Sequence, residues 1–249
     1  MTMKTSLVSI ITPTFNAEKT IARTIESVLR QSYSPIEYII IDGGSTDSTL
    51  EIVNSYLHRF SGKTRVISEK DNGMYDAMNK GIANASGELI GILNSDDWYE
   101  PEAVEAMVKI FGENRESVLY GILRYVENDS ETMLYRMHHD SLKDGMITHP
   151  TCFVPAVLYK KHGVFNLKYR LSSDYELMLR FQKHGVSFIP LDKIIANFSF
   201  GGLSTVNNDG LIESLGIRYD YGFVSKNRMK WETSKLRIKS LLKRIKING

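Results

Sequence analysis

Two adjacent carboxylates follow an apolar run in the segment "GILNSDDWYEP", residues 91–101. Each charge raises the free-energy cost of ionising the other, so the pairing of Asp96 with Asp97 calls for an explanation. A hard divalent cation would offset the repulsion, because Mg²⁺ and Mn²⁺ prefer carboxylate oxygens and often share them with substrate phosphates. The pair therefore predicts a Mn²⁺ or Mg²⁺ site and a diphosphate-bearing substrate. The alternative is a solvated turn that caps the helix opened by Pro101.

Other polar residues stand at the ends of apolar runs. "TPTFN" follows the first run, and Asp42 ends "EYIIID" before two glycines. Ligands of open parallel sheets bind beyond the carboxyl ends of the strands, so we expect these groups to share one rim with Asp96. Asp42 could accept a hydrogen bond from a base or ribose, or its loop could be a plain turn in which Asp47 caps the next helix. The sequence has neither a dinucleotide-binding glycine motif nor a P-loop.

The elements that must position these residues alternate strand and helix, which predicts an α/β fold with a mostly parallel sheet covered on both faces. After residue 111 the alternation stops and a hairpin is predicted, followed by a helix near "SSDYELMLRF" and a strand at "VSFIP". The predicted strands are 7–12, 37–42, 65–68 and 88–93, the helices 18–31, a segment after "GGSTDS", 74–85 and 101–111, and the hairpin strands 118–126 and 133–137.

Composition is typical of a globular protein. The 249 residues are 42% hydrophobic and 24% charged, and the net charge of +2 gives no reason to expect a nucleic-acid partner. Cys152 is the single cysteine, which excludes an intrachain disulfide and favours a reducing compartment. The apolar stretch that Pro13 ends is too short for a signal peptide or a membrane span. We therefore expect a cytoplasmic protein whose membrane contact, if any, is peripheral.

The C-terminal tail is strongly basic. From Lys226 onward it carries nine lysines and arginines against one glutamate, a net charge of +8, which leaves −6 for the rest of the chain. This pattern is typical of a helix on an anionic membrane surface, and equally of a basic helix docked on an acidic protein body. The apolar residues at helical spacing between these charges are Trp231, Ile238, Leu241, Leu242 and Ile245.

Four ordered segments, "VSIITPTFNAEKTIARTIESVLRQSY", "EYIIIDGGSTDST", "EKDNGMYDAMNKGIANASGELIGILNSDDWYEP" and "SSDYELMLRF", resemble glycosyltransferase family 2. These are inverting nucleotide-sugar transferases of GT-A fold, and the resemblance covers roughly residues 8–202. It implies a Rossmann-like sheet with helices on both faces and a small antiparallel extension on the acceptor side. The implied divisions are a GT-A domain at 1–223, with a nucleotide-sugar half (1–111) and an acceptor and catalytic-base half (112–223), and a basic helix at 224–249.

The resemblance also implies roles for single residues. Asp42 matches the acidic residue that holds the base, Asp96 the one that faces the ribose, and Asp97 the metal ligand. The positions implied for donor binding are Thr12, Pro13, Phe15, Asn16, Asp42, Asp71, Ser95 and Asp96. From its chemistry alone, His149 in "THPTCF" could bind a metal or phosphate, although single histidines are also common as structural residues. Trp98 and Tyr99 could shape a sugar pocket or belong to the core.

Asp174 matches the family's catalytic base, the second residue of a Glu-Asp pair whose first residue is Ser173 here. Asp174 and Glu176 are two apart on a predicted helix, so they point to nearly opposite sides. "SDYE" predicts a capping box, with Ser173 as N-cap and Glu176 folding back onto its amide, which leaves Asp174 free to face a cleft. "FGGLST" could close over donor or acceptor or form a plain turn.

Together these features predict a metal-dependent inverting glycosyltransferase that uses a nucleoside-diphosphate sugar, with UDP favoured. The resemblance implies a glycan or lipid-linked acceptor and a role in surface polysaccharide assembly. Ser173 keeps a second hypothesis open, a non-catalytic nucleotide-sugar-binding or scaffolding module at the membrane. A third, a phosphotransferase with Asp42 or Asp96 as nucleophile, has weaker support.

Overall fold

The computed structural model describes residues 5–127, 130–199 and 208–247, with side chains described up to residue 240. The strands are β1 (Val8–Thr14), β2 (Ile36–Asp42), β3 (Thr64–Ser68), β4 (Leu89–Ile92), β5 (Trp98–Tyr99), β6 (Ser117–Glu127), β7 (Ser130–Tyr135), β8 (Phe153–Pro155) and β9 (Ser187–Ser199). The helices are α1 (Ile21–Leu29), α2 (Thr49–Tyr56), α3 (Met74–Asn84), α4 (Ala103–Phe111), α5 (Ala156–His162), α6 (Ser173–Lys183), α7 (Asp209–Asp220) and α8 (Lys226–Ile247).

The first four strands form the predicted parallel sheet, in the order β3, β2, β1, β4. Every residue of β1 is buried, as expected of a strand covered on both faces. Its side chains alternate between two apolar clusters: Ile11 packs with Tyr75 and Met78 of α3, and Ile10 packs with Ile21 and Ile25 of α1. The alternation of strand and helix in the sequence therefore correctly predicted this half of the fold.

The second half continues the same sheet. Strand β8 pairs antiparallel to β4, β6 antiparallel to β8, β9 parallel to β6, and β5 antiparallel to β9. The predicted hairpin is confirmed by the pairing of β6 with β7. The antiparallel part thus extends the parallel sheet, as the resemblance implied, and one continuous sheet of the described residues passes through both halves.

Several element ends differ from the predictions. Strand β1 runs two residues past Thr12, so Thr12 and Pro13 lie inside the strand. Helix α4 begins at Ala103, after Glu102 as N-cap, rather than at Pro101. The short run predicted at "VSFIP" is the start of the 13-residue strand β9, which its partner β6 extends through long-range pairing. The "FGGLST" loop, residues 200–205, lies outside the described residues.

The C-terminal helix α8 docks on the rest of the chain through one face. The Asn208 amide nitrogen, just before α7, donates to the Leu236 carbonyl oxygen (3.2 Å) and the Ser240 hydroxyl (3.0 Å). The opposite face exposes Trp231 and Ile238, with 61% and 59% of their surface open. The helix thus packs on the protein body, and binding of its exposed face to a membrane stays a prediction. Among the described residues, no helix combines the length and apolarity that a bilayer span needs.

Candidate active site

The loops after β1 and β2 are joined at the carboxyl edge of the sheet. The Asn16 amide donates to the Ser45 hydroxyl (2.8 Å), and the Asn16 side-chain oxygen accepts from the Thr46 amide (2.9 Å). Asn16 has φ of 48°, a left-handed conformation that Asn tolerates better than most residues. Asn16 and its exposed neighbour Phe15 (60% open) can meet a ligand.

Two residues predicted for donor binding lie behind this surface. Thr12 and Pro13 are buried within β1, and the Thr12 hydroxyl oxygen accepts a hydrogen bond from the Tyr38 phenol (3.1 Å). Their side chains shape the floor of the rim. Their contact with a nucleotide stays a prediction.

Asp42 is fully buried at the end of β2. Its carboxylate accepts hydrogen bonds from the Gly44 amide (3.1 Å), the Ser45 amide (3.1 Å), the Ser45 hydroxyl (2.5 Å) and the Ser68 hydroxyl (2.7 Å). Gly44 has φ of +86°, which favours glycine in this turn. These bonds fix the orientation of the Asp42 carboxylate, and its contact with a base stays a prediction.

Asp71 reaches the same rim from the loop after β3. One carboxylate oxygen accepts from the Gly73 amide (2.9 Å), and the other lies 2.4 Å from the point where a side chain at Gly43 would place its Cβ. Gly43 is therefore needed for this close approach. The half-buried side chain of Asp71 completes a polar arc with Asn16 and Asp42.

The acid step, residues Asn94–Asp97, follows β4. Asp97 is fully buried, whereas Asp96 and Ser95 are half-buried. The Asn94 amide nitrogen donates to one oxygen of Asp97 (3.3 Å), but the other oxygen of Asp97 and the side-chain oxygen of Asn94 are buried without a hydrogen-bond partner in the described part of the chain. Unpartnered buried oxygens are costly, so a water molecule or an ion bound here would stabilise the acid step.

Burial sets the protonation of the acid step. Burial, and secondly the charge of Asp96, raises the pKa of Asp97 well above its ordinary value. Burial also raises the pKa of Asp96. The positive charge of Arg23 opposes both shifts. Both shifts disfavour two adjacent negative charges, which a bound divalent cation would offset.

Arg23 of α1 was missed by the sequence analysis. Its guanidinium lies 3.7 Å from the centre of the Trp98 ring and donates to the Ser199 hydroxyl (2.7 Å). It therefore links α1, the acid step and the end of β9. Nothing in the sequence distinguished it from other basic residues on a helix. Tyr99, by contrast, is buried in the core.

The acid step fits a divalent cation by its donor set. It offers two carboxyl groups and an amide oxygen, the hard oxygen ligands that Mg²⁺ and Mn²⁺ prefer, and two of its oxygens lack partners within the described residues. The predicted division of roles, with Asp96 facing the ribose and Asp97 binding the metal, stays a prediction. Asp96 is the carboxylate that an incoming ion reaches first, and Asp97 stands behind it.

The described residues hold another group of potential metal ligands, His138, His139 and Asp140, in the turn after β7. The Asp140 side chain is 80% open to solvent and that of His138 is 50% open. Side chains this exposed form hydrogen bonds with water. The acid step, with its buried and unpartnered oxygens, is therefore the better-built candidate.

Asp174 lies half-buried in the first turn of α6. One oxygen, Oδ1, accepts from the Tyr75 phenol (2.8 Å) and from the Tyr175 amide (2.9 Å). Burial, together with the charge of Asp174, raises the pKa of Tyr75 well above its ordinary value, so the phenol remains a proton donor. The second oxygen, Oδ2, makes no hydrogen bond to a described residue and is the one free to accept a proton.

The predicted capping box at the start of α6 is wrong. Ser172 is the N-cap, and the Ser173 hydroxyl donates to the Asn166 carbonyl oxygen (2.9 Å). Glu176 pairs with Arg180 (3.0 Å) and accepts from the Tyr221 phenol (2.9 Å). A guanidinium one turn away is a stronger partner for a carboxylate than a backbone amide. Glu176 still has a structural role, so Asp174 remains the carboxylate available for chemistry.

His149 lies near Asp174. Its ring meets the Phe165 ring edge-on at 5.7 Å. Burial lowers the pKa of His149, and the negative charge of Asp174 opposes that shift in part. The imidazole is therefore neutral at pH 7 and keeps a lone pair, but its role as a ligand stays a prediction.

Comparison with known proteins identifies the class. The sequence profile of glycosyl transferase family 2 matches residues 9–181, and the chain belongs to that family. A PGL/p-HBAD biosynthesis glycosyltransferase of Mycobacterium bovis (strain BCG / Pasteur 1173P2) is 29% identical over 214 residues, which cover 81% of this chain and 80% of that protein. The hyaluronan synthase of Pasteurella multocida is 31% identical over 228 residues, 89% of this chain but 23% of the synthase.

Solved structures share the fold. S. aureus TarS 1-349 in complex with UDP-GlcNAc superposes with a TM-score of 0.71 at 19% identity, over 92% of this chain and 71% of that one. The mannosyltransferase PcManGT from Pyrobaculum calidifontis, in complex with GDP-Man and Mn²⁺, superposes with a TM-score of 0.68 at 15% identity, over 84% of this chain and 63% of that one. The chain is thus a glycosyltransferase of GT-A fold, as the sequence predicted, and a purely non-catalytic module loses its support.

Proposed function

We propose that this chain is a metal-dependent inverting glycosyltransferase that moves a sugar from a nucleoside-diphosphate donor to a glycan or lipid-linked acceptor. The observation that carries the proposal is the acid step, where buried oxygens of Asn94 and Asp97 lack partners within the described structure at the edge where parallel sheets bind ligands. Asp174 supports it, with one carboxylate oxygen held and the other free.

In this mechanism the donor lies on the rim made by Phe15, Asn16 and Asp71, over the floor that Thr12, Pro13 and Asp42 form. Asp96 and Asp97 would hold Mn²⁺ or Mg²⁺, and His149 stays a weaker candidate ligand. Bound there, the cation supplies Lewis-acid stabilisation of charge on the departing nucleoside diphosphate.

Asp174 acts on the acceptor. Its Oδ2 takes the proton of the acceptor hydroxyl while that oxygen attacks the anomeric carbon from the side opposite the leaving group, which inverts the configuration. The hydrogen bonds from Tyr75 and Tyr175 hold the carboxylate in place. Bond formation to the acceptor and departure of the diphosphate balance without another reactant.

The preferred nucleotide is UDP. The TarS structure with UDP-GlcNAc supports this choice, although a structure with GDP-Man has a similar fold. Relatives named for PGL/p-HBAD biosynthesis and as a hyaluronan synthase support a role in glycan biosynthesis, and we propose that this role is surface polysaccharide assembly. In our proposal the enzyme works in the cytoplasm, with residues 1–111 binding the donor, 112–223 binding the acceptor and carrying the base, and 224–249 forming the basic helix.

We also propose that α8 rests on an anionic membrane at the inner face of the plasma membrane. Trp231 and Ile238 are seven residues apart, so they share the helix face opposite the contact with Asn208. Lys235 lies beside them, its ammonium 5.0 Å from the centre of the Trp231 ring. An apolar stripe flanked by lysines suits an interfacial helix, and it would bring a lipid-linked acceptor to the enzyme.

A thermal-shift titration tests the function. We expect UDP with Mn²⁺ to raise the melting temperature of the wild type more than UDP with chelator, because binding to the native state stabilises it. Asp96→Asn should abolish the difference, whereas the control Asp192→Asn, at a carboxylate 85% open to solvent on β9, should keep it. Equal shifts with and without metal, or a full metal effect in Asp96→Asn, would overturn the assignment.

A further inference from the structure

The segment that leads into α6 is bound by a carboxylate from a distant helix. Three consecutive amides, those of Arg170, Leu171 and Ser172, donate to Glu213 of α7 at 2.8, 2.8 and 2.7 Å. One Glu213 oxygen takes the first bond and the other takes the remaining two. Glu213 thus occupies the turn that ends two residues before Asp174.

The same helix holds this turn from a second side. The Ser172 hydroxyl donates to the Gly210 carbonyl oxygen (3.0 Å), and the Ser214 hydroxyl donates to Ser172 (3.0 Å). Ser172 is 5% exposed and caps α6 without a side-chain bond to its own helix. The start of α6 is therefore fixed by α7 rather than by a local cap.

This arrangement lies next to position 173, where the chain has a serine and the family resemblance implies a glutamate. The Ser173 side chain turns away to the Asn166 carbonyl oxygen and carries no charge. Glu213, forty residues further along the chain, places a carboxylate against the same turn. Charge-assisted bonds from amides to a carboxylate are among the stronger hydrogen bonds of proteins.

We propose that Glu213 is a positioning residue for Asp174, supplying from α7 the carboxylate that Ser173 lacks. The inference rests on the proposed function, in which Asp174 is the base. Tyr75 holds the carboxylate of Asp174, and Glu213 holds the backbone turn that precedes Asp174. The free oxygen of Asp174, Oδ2, therefore keeps a fixed orientation. A small displacement of such a group lowers turnover strongly.

The test compares Glu213→Ala, Glu213→Gln and the control Asp220→Asn. Asp220 also joins α7 to this loop, through the Tyr169 phenol (3.1 Å) and Lys168 (3.6 Å), but touches none of the three amides. Sugar transfer and donor hydrolysis are measured against donor concentration, and turnover is expressed per UDP-binding site counted by calorimetry. Amide hydrogen exchange of residues 166–176 is followed in each protein.

We expect Glu213→Ala to lower kcat per site about 10- to 100-fold with little change in the donor KM, and to accelerate exchange in residues 170–174. The kcat of Glu213→Gln should lie between those of Glu213→Ala and the wild type, because one amide oxygen replaces two carboxylate oxygens. Asp220→Asn should keep kcat within about twofold. A loss of fold would instead reduce the number of UDP sites.

Loss of the positioning role and loss of the proposed function would give different results. Unchanged kcat per site in Glu213→Ala, or unchanged exchange in residues 170–174, overturns the positioning role while the enzyme itself still turns over. A wild-type protein that binds UDP yet catalyses neither transfer nor hydrolysis overturns the proposed function and, with it, the role of Asp174.

Discussion

The carboxyl group of Asp174 is held at one oxygen and open at the other, which is the arrangement a general base needs. Tyr75 and the Tyr175 amide both bind Oδ1, so an asparagine oxygen could take over both contacts. The substitution Asp174→Asn therefore removes basicity with little change of shape.

We predict that Asp174→Asn lowers kcat about 10²- to 10⁴-fold while the melting temperature and the affinity for UDP stay close to those of the wild type. Steady-state transfer and calorimetry measure the two quantities. Tyr75→Phe serves as a comparison, because it loses one orienting hydrogen bond and keeps the base, and it should lose less activity. A wild-type rate in purified Asp174→Asn would rule out this base.

At the scale of elements, three parallel strands are joined by one buried glutamate at the edge opposite the active site. Glu37 of β2 accepts from the Ser9 hydroxyl of β1 (2.6 Å) and from the amide (2.8 Å) and hydroxyl (2.7 Å) of Ser86, before β4. Burial opposes ionisation, but the hydrogen bonds outweigh it and lower the pKa of Glu37 below its ordinary value.

Glu37→Gln should therefore lower the free energy of unfolding at pH 7 by about 1–3 kcal/mol, the cost of disturbing a buried charge-assisted network. The folded carboxylate binds fewer protons than the unfolded one, so its contribution is present above the ordinary carboxyl pKa and is lost as the pH falls through the lowered value. In urea unfolding between pH 7 and pH 3, the difference in the free energy of unfolding between Glu37→Gln and the wild type should shrink as the pH falls.

The matched control is Glu51→Gln, at an exposed position on α2, which should change stability little at either pH. If Glu37→Gln lowered the free energy of unfolding as much at pH 3 as at pH 7, the charge of Glu37 would not be the cause of the stabilisation.

At the scale of the whole molecule, our proposal of a lipid-linked acceptor requires a way for the protein to reach the membrane. No described helix is long and apolar enough to cross a bilayer. The exposed stripe of Trp231 and Ile238 on α8 offers one route. Each lysine or arginine near an anionic surface contributes about 1 kcal/mol to binding, and the tail is rich in both.

We predict that the protein binds vesicles of mixed anionic and zwitterionic lipid, less so at high salt, and binds purely zwitterionic vesicles weakly. Ile238→Glu should weaken binding and leave transfer to a water-soluble acceptor intact. The control Leu167→Asp alters an equally apolar but non-helical exposed position (48% open) and should bind normally. Vesicle sedimentation measures binding, and equal sedimentation of Ile238→Glu and wild type would refute the membrane role.

Much of the fold followed from local pattern. Apolar runs separated by amphipathic segments predict strands covered on both faces, and β1 to β4 formed as expected with their ends shifted by one or two residues. Asp42 and the acid step were placed on one rim by the same logic, since parallel strands end on the same edge. The family profile over residues 9–181 agrees with the motifs that the sequence displayed.

Tertiary structure decided what depends on partners far along the chain. Glu176 bonds to Tyr221, not to its own helix end, and Glu213 reaches back some forty residues to the turn before Asp174. Asp96 and Asp97 are chemically identical neighbours, yet one is half-buried and the other fully buried. Sequence patterns report spacing along one element, whereas burial and charge partners are set when elements pack. The candidate residues could therefore be named from the sequence, but their burial and their partners could not.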